Sequence, residues 1–246
     1  MEHGVDKTVI YLGNKRHSSW SLRAWLALKQ AGIPFDEVVI PLEMPPYTQD
    51  EIRKVSPSGM VPLLKHRGEL IWETLSICEY LAETFPAARL WPSDPKQRAL
   101  ARSISAEMHS GFTDLRSYLP TDMTSIIPSP QRATKARADI ERVTAIWREC
   151  RTRYGSVGAD GRGDFLFGAF TNADAMFAPV ALRFHTYAIE LDPVSAAYVD
   201  AIWNWGPMQE WIAAARKESW VITYPPDYTI YRQYVIAHLK MMGTKA

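Results

Sequence analysis

Two hydroxyls, Ser18 and Ser19, stand at the mouth of an expected helix in the run His17-Ser18-Ser19-Trp20-Ser21-Leu22-Arg23. An apolar, strand-like stretch from Thr8 to Leu12 precedes the run, and Leu22, Trp25, Leu26 and Leu28 follow at helical spacing until Gly32 and Pro34. The first N–H groups of a helix lack intrahelical partners and carry the positive end of the macrodipole. A hydroxyl there can help hold an anion, a thiolate included. The same position also suits a serine that only caps the helix.

The elements that must position this run follow in order. Val38-Val39-Ile40 reads as a second strand, and after a loop come Met60-Val61-Pro62-Leu63-Leu64, a turn at His66-Arg67-Gly68-Glu69, and the short strand Leu70-Ile71-Trp72. Glu73-Thr74 then opens a helix through Phe85. With the order β-α-β, loop, β-β-α, a Val-Pro before the third strand and an acidic–hydroxyl pair opening the third helix, the chain resembles the cytosolic glutathione S-transferase superfamily over nearly its whole length. The resemblance implies an α/β + all-α fold. A thioredoxin-like, glutathione-binding domain is expected over residues 6–85, and an all-helical domain carrying the second-substrate site over 95–240.

It also implies a binding site for glutathione as co-substrate. Val61 would pair its backbone with the cysteinyl part of glutathione, an edge-strand mode of recognition held open by a cis Pro62. The bland reading is an ordinary edge-strand proline. Glutathione's γ-glutamyl end carries an ammonium and a carboxylate; Glu73 can accept from the first and Thr74 can donate to the second at a helix N-terminus. Alternatively, Thr74 is a plain cap and Glu73 is solvated.

Glutathione's thiol has a pKa near ~8.5, and lowering it by about two units takes ~2.7 kcal/mol of preferential thiolate stabilisation. One hydroxyl hydrogen bond to an anion, ~1.5–3 kcal/mol, together with the helix N-terminus supplies that order of magnitude without a metal. Two serines qualify. The S-S-x-S-x-R spacing is similar to the zeta class, where the first serine is the candidate, whereas counting four residues back from Arg23 gives Ser19, as in theta-like enzymes. Trp20 stands where zeta-class maleylacetoacetate isomerases have a cysteine, which weighs against that isomerase activity.

The remaining sequence fits a two-domain chain: 246 residues, 47% hydrophobic, formal net charge +1. Near-neutral charge argues against a nucleic-acid partner. No stretch approaches the ~20 apolar residues of a membrane span. With two cysteines and no charged n-region before an apolar run at the start, a cytoplasmic location is expected. Cys78 and Cys150 read as buried small hydrophobes, and the six histidines show no metal-ligand spacing. His17 reads as a surface-loop residue, and Trp147, Trp203 and Trp211 as core or interdomain packing.

Proline-rich residues 86–95 form the linker. Beyond it, helices are expected over Lys96–Leu119, Gln131–Arg153, Ala173–Tyr187, Pro193–Asn204 and Met208–Lys217, with a glycine-rich loop from Gly155 to Gly163. Thr171-Asn172-Ala173-Asp174 reads as a capping box with a structural role, opening a central buried helix. By resemblance, a small electrophile would lie against the first helix of the second domain, where Met108, His109, Phe112 and Arg116 could share one face; Met108 and Phe112 suit the core equally well. A two-fold homodimer is implied in the same way. Three readings stand: a glutathione transferase acting on a small electrophile, a zeta-type glutathione-dependent cis–trans isomerase, and a non-catalytic binding module of this fold.

Overall fold

The computed structural model describes residues 7–42, 47–155 and 163–219. Strand β1 (Val9–Leu12) lies between β2 (Asp36–Val39), which runs parallel to it, and β3 (Leu63–His66), which runs antiparallel; β4 (Glu69–Trp72) pairs antiparallel with β3 at the edge, in the order β2-β1-β3-β4. A parallel pair needs a crossover. Helix α1 (Ser19–Ala31) supplies it, ending at Gly32 with φ 70° and its N–H on Lys29 O. Leu22, Ala24, Trp25, Leu26, Ala27 and Leu28 of α1 are all fully buried, because the helix has the sheet's side chains on one flank and a helix of the second half on another.

One local expectation changes in this half. The segment between β2 and β3, read as loop, contains helix α2 (Tyr47–Val55). Its described residues are mostly polar and only Thr48 and Ile52 are buried, so the apolar side of this short helix is carried by very few residues. The third strand starts at Leu63, directly after the Val61-Pro62 pair, since Pro62 has no N–H to give a ladder.

Helix α3 (Thr74–Thr84) and a 3₁₀ turn at Pro86–Ala88 lead into a helical remainder: α4 (Pro95–Ser110), α5 (Thr113–Tyr118), α6 (Pro130–Lys135), α7 (Arg137–Tyr154), α8 (Asn172–Thr186), α9 (Pro193–Asn204) and α10 (Gly206–Ala215). Lys96–Leu119 is therefore two helices, broken at Gly111 and at Phe112, whose φ is 60°. Gln131–Arg153 is likewise interrupted at Ala136. Among the described residues this half has no strand, only isolated bridges at residues 165–169. The interior of the glycine-rich loop and residues 220–240 of the expected helical domain lie outside the described residues.

The centre of the second half is α8. Asp174 accepts hydrogen bonds from Leu166 N, Thr171 N, Thr171 Oγ1 and Tyr198 OH, so it ties the start of the helix to the preceding turn and to α9. Burial pushes its carboxyl up to about 6 against those four donors. Trp147 packs on Phe177, Phe184 and Tyr198, and Trp211 on Trp25, while Trp203 is half-buried against His185. Cys78 and Cys150 are free and buried, and burial pushes both thiols up to about 12.

Candidate functional site

The strand register brings three segments to one end of the sheet. Tyr11 pairs with Leu63, and Leu63 with Trp72. The turn after β1 that leads to Ser18, the Val61-Pro62 pair before β3 and the Glu73-Thr74 pair after β4 therefore share one edge. The Val61-Pro62 peptide bond is cis.

At the mouth of α1 the two serines differ. Ser18 is the N-cap: its Oγ accepts from Ser21 N at 3.3 Å and donates to Ser21 Oγ at 2.8 Å. Ser21 Oγ in turn accepts from Gly13 N at 2.9 Å. Ser19, the first helical residue, makes no side-chain hydrogen bond to any described residue, although only 7% of it is exposed.

Glu73 has φ 70° and ψ 127°, a backbone conformation that costs a non-glycine residue ~1–3 kcal/mol and that only surrounding structure maintains. No side-chain cap bond compensates. Its carboxylate is half-exposed and 3.5 Å from His109 Nε2. Thr74 is buried, and its Oγ1 donates to Trp20 O at 3.2 Å, which couples the first turn of α3 to the first turn of α1.

Trp20 is half-buried in a cationic setting. The guanidinium carbons of Arg23 and Arg116 each lie 4.6 Å from its ring centroid, and the His109 ring meets it edge-on at 5.3 Å. Arg23 is fully buried, donating from Nε to Met176 O at 2.8 Å and from Nη1 to Ser19 O at 3.3 Å. Among the described residues its Nη2 has no hydrogen-bond partner. Burial, then the charges of Arg116 and Arg183, pull its pKa well below the ordinary value. Burial also lowers the His109 pKa, Glu73 raises it, and Arg23 and Arg116 lower it further.

The expected second-substrate face is not assembled as one helix face. Met108 and Phe112 belong to the core, and Phe112 stands in the break between α4 and α5. Arg116 binds Gly111 O at 3.0 Å through Nε and Met108 O through Nη2, so part of its donor set closes that break. Of the four residues, His109 and Arg116 reach Trp20.

His17 is not a surface residue: it is buried, with Nδ1 3.0 Å from Thr121 O, and burial lowers its pKa. Contacts such as this, and the stacking of Arg116 on Trp20, join residues about a hundred positions apart. Nothing in local spacing signals them. Among the described residues there is no His/Cys/Asp/Glu group able to hold a metal, and no helix is long and apolar enough to cross a membrane.

A thioredoxin-like domain with a cis proline before β3 and a helical remainder packed across its first helix defines a class of two-domain proteins. Residues 17–84 match the family model of the glutathione S-transferase N-terminal domain. The chain is 40% identical to maleylacetoacetate isomerase of Rattus norvegicus over 115 residues, 46% of this chain and 52% of the relative. It thus spans about half the length of the curated relatives it matches. A glutathione transferase homologue from Burkholderia with bound glutathione superposes with a TM-score of 0.64 at 24% identity, over 86% of this chain and 100% of the other. A bacterial zeta-class maleyl pyruvate isomerase gives 0.66 at 20% identity over the same shares. Residues 17–84 thus carry the glutathione S-transferase N-terminal domain, and the described chain has the fold of the glutathione transferases.

Proposed function

We propose that this protein is a glutathione transferase: it binds glutathione at the shared end of the sheet, lowers the pKa of its thiol, and directs the thiolate at a soft electrophilic carbon of a small substrate. The observation that supports this best is the register of Tyr11, Leu63 and Trp72, which sets the Ser18 turn, the cis Val61-Pro62 bond and the Glu73-Thr74 pair side by side. Residues 6–85 are then the glutathione-binding domain and 95–240 the second-substrate domain.

In this reading Val61 receives the cysteinyl backbone, Glu73 the γ-glutamyl ammonium, and Thr74 with the α3 N-terminus the γ-glutamyl carboxylate. The Thr74 hydroxyl bond to Trp20 O is long, and rotating the hydroxyl trades it for the carboxylate. Ser18 is the thiolate donor. Hydroxyl protons rotate, so the 2.8 Å Ser18–Ser21 bond can reverse, with Ser21 donating; Ser18 then accepts from both Ser21 N and Ser21 Oγ and turns its own proton to sulfur. His109 and Arg116, gathered round Trp20, face the electrophile. The Arg116 cation, beside a His109 imidazole that burial keeps neutral, favours a substrate with negative charge or a charge-accumulating leaving group.

A second reading, glutathione-dependent cis–trans isomerisation, is favoured by the activity in the names of the relatives 40% identical over the matched half. The two differ in balance. Conjugation forms a carbon–sulfur bond and consumes one glutathione per turnover, whereas isomerisation adds the thiolate, permits bond rotation and expels it again. Glutathione consumption measured with maleylacetoacetate and with a panel of electrophilic halides separates them. Thiolate absorbance against pH tests the core of the proposal: a bound thiol that titrates like free glutathione leaves only the binding module. A homodimer, pairing the first domain of one subunit with the second domain of the other, completes the reading, with Leu70 and Trp72, about two-fifths exposed on the edge strand β4, as apolar surface for it to cover.

A further inference from the structure

Residues 14–17 lead directly into Ser18 and are fastened chiefly by the helical half. Arg16 donates from Nε and Nη2 to the two carboxylate oxygens of Asp122, at 3.0 and 2.9 Å. Asp122 is itself held: Thr124 Oγ1 and Ser125 Oγ donate to its carboxylate at 3.0 and 2.8 Å, and Thr186 Oγ1 donates to its carbonyl at 2.8 Å. The backbone of the turn is bound as well. Met123 N donates to Arg16 O at 3.1 Å and Trp211 Nε1 to Lys15 O at 2.8 Å, while Glu218 receives Lys15 N and Arg16 N at 2.6 and 3.0 Å.

The turn's own domain adds Asn14. Its Oδ1 receives Leu42 N, and its carbonyl receives His17 N at 3.2 Å and Ser18 N at 2.8 Å. The chain that ends on the Ser18 hydroxyl is thus referenced to the α5–α6 connection as firmly as to the sheet. A bidentate guanidinium–carboxylate pair fixes orientation as well as distance, and this one is 22% and 13% exposed at its two side chains, where salt screens it little.

We propose that Arg16 and Asp122 are positioning residues for thiol activation: their ion pair holds the turn so that Ser18 meets the glutathione sulfur, and through it the helical half sets the acidity of a thiol bound by the other half. The inference rests on the glutathione transferase reading above. The anchors Val61, Glu73 and Thr74 lie outside this turn, so loosening it displaces the donor and leaves glutathione held. Displacement of ~1 Å takes a hydrogen bond out of its effective range.

The test uses the full chain with saturating glutathione and follows thiolate absorbance against pH, glutathione affinity by calorimetry, and thermal melting. D122N and R16Q are each expected to raise the bound-thiol pKa by about half a unit to one unit, roughly a three- to ten-fold fall in the thiolate-to-thiol ratio at a given pH, with glutathione affinity within about two-fold of wild type. The double variant goes no further than either single one, because both act through one bond. D122E recovers part of the shift. D192N breaks the separate Arg148–Asp192 pair and serves as the control for simple destabilisation: it melts lower without moving the titration. The inference is overturned if D122N and R16Q titrate with the wild type, or if D192N matches their shift; if D122N does not fold, R16Q decides alone. A wild-type protein whose bound thiol titrates like free glutathione removes the transferase reading itself, a result visible before any variant is made.

Discussion

Replacing Ser18 by alanine should have two separable effects. A hydrogen bond to a charged group contributes ~1.5–3 kcal/mol, and one pKa unit is ~1.36 kcal/mol, so Ser18→Ala should raise the bound-thiol pKa by about one to two units. The same change removes the N-cap bond to Ser21 N, at ~1 kcal/mol, which for a chain of this size lowers the melting temperature by roughly 2–4 °C. Ser19→Ala breaks no side-chain hydrogen bond to a described residue and should leave both quantities close to wild type. Ser21→Ala removes the partner of the Ser18 hydroxyl and the acceptor for Gly13 N, so its titration should fall between the two. The assay is thiolate absorbance against pH on glutathione-saturated protein, paired with a melt. If Ser19→Ala shifts the titration and Ser18→Ala moves only the melt, the N-cap serine is structural and the reasoning fails.

Glu73→Ala should weaken glutathione roughly ten-fold or more by calorimetry, since it removes a charge-assisted contact of ~1.5–3 kcal/mol; unchanged affinity would refute the anchor. Burial alone would raise the Asp122 carboxyl, but bonds from Arg16, Ser125 and Thr124 and the Arg16 charge outweigh it and hold the group at about 2. The folded pKa lies below the unfolded one, so the contribution, about 2 kcal/mol, is complete above about pH 4 and disappears as pH falls through about 2. The stability gap between wild type and D122N in denaturant titrations should accordingly close toward acid, and a gap that widens there would contradict the pairing. Light scattering at micromolar concentration should report twice the 27.9 kDa of one chain; the monomer mass alone would count against the homodimer.

What could be read in advance followed from local order. Gly32 as a left-handed terminator of α1, Thr171 and Asp174 at the start of α8, and the hairpin at residues 66–69 all sit within a few residues of what they control, and each stands in the structure as its residue types require. Ser18, Glu73 and Thr74 were visible for the same reason: helix mouths are marked by the residues that open them. Helix α2 escapes a local reading because its segment is mostly polar and few of its positions are buried. Phe112 reads as part of a continuous helix because nothing in its spacing betrays a left-handed residue after Gly111. The burial of His17 escapes a local reading for a different reason. Its burial is created by Thr121, 104 positions away, and polar residues in a turn look solvent-facing until a distant segment covers them.

Most of the grip on the turn before Ser18 falls on main-chain atoms: the carbonyls of Lys15 and Arg16 and their N–H groups. Peptide groups are common to nearly every amino acid, so that share of the latch is indifferent to side-chain identity, while the side chains of Asn14, Lys15, Arg16 and His17 supply the rest. Length is another matter. One residue inserted or deleted between Gly13 and Ser18 would put every carbonyl out of step with its donor across the domain junction. In this part of the chain, the count of residues is under constraint as well as their identity.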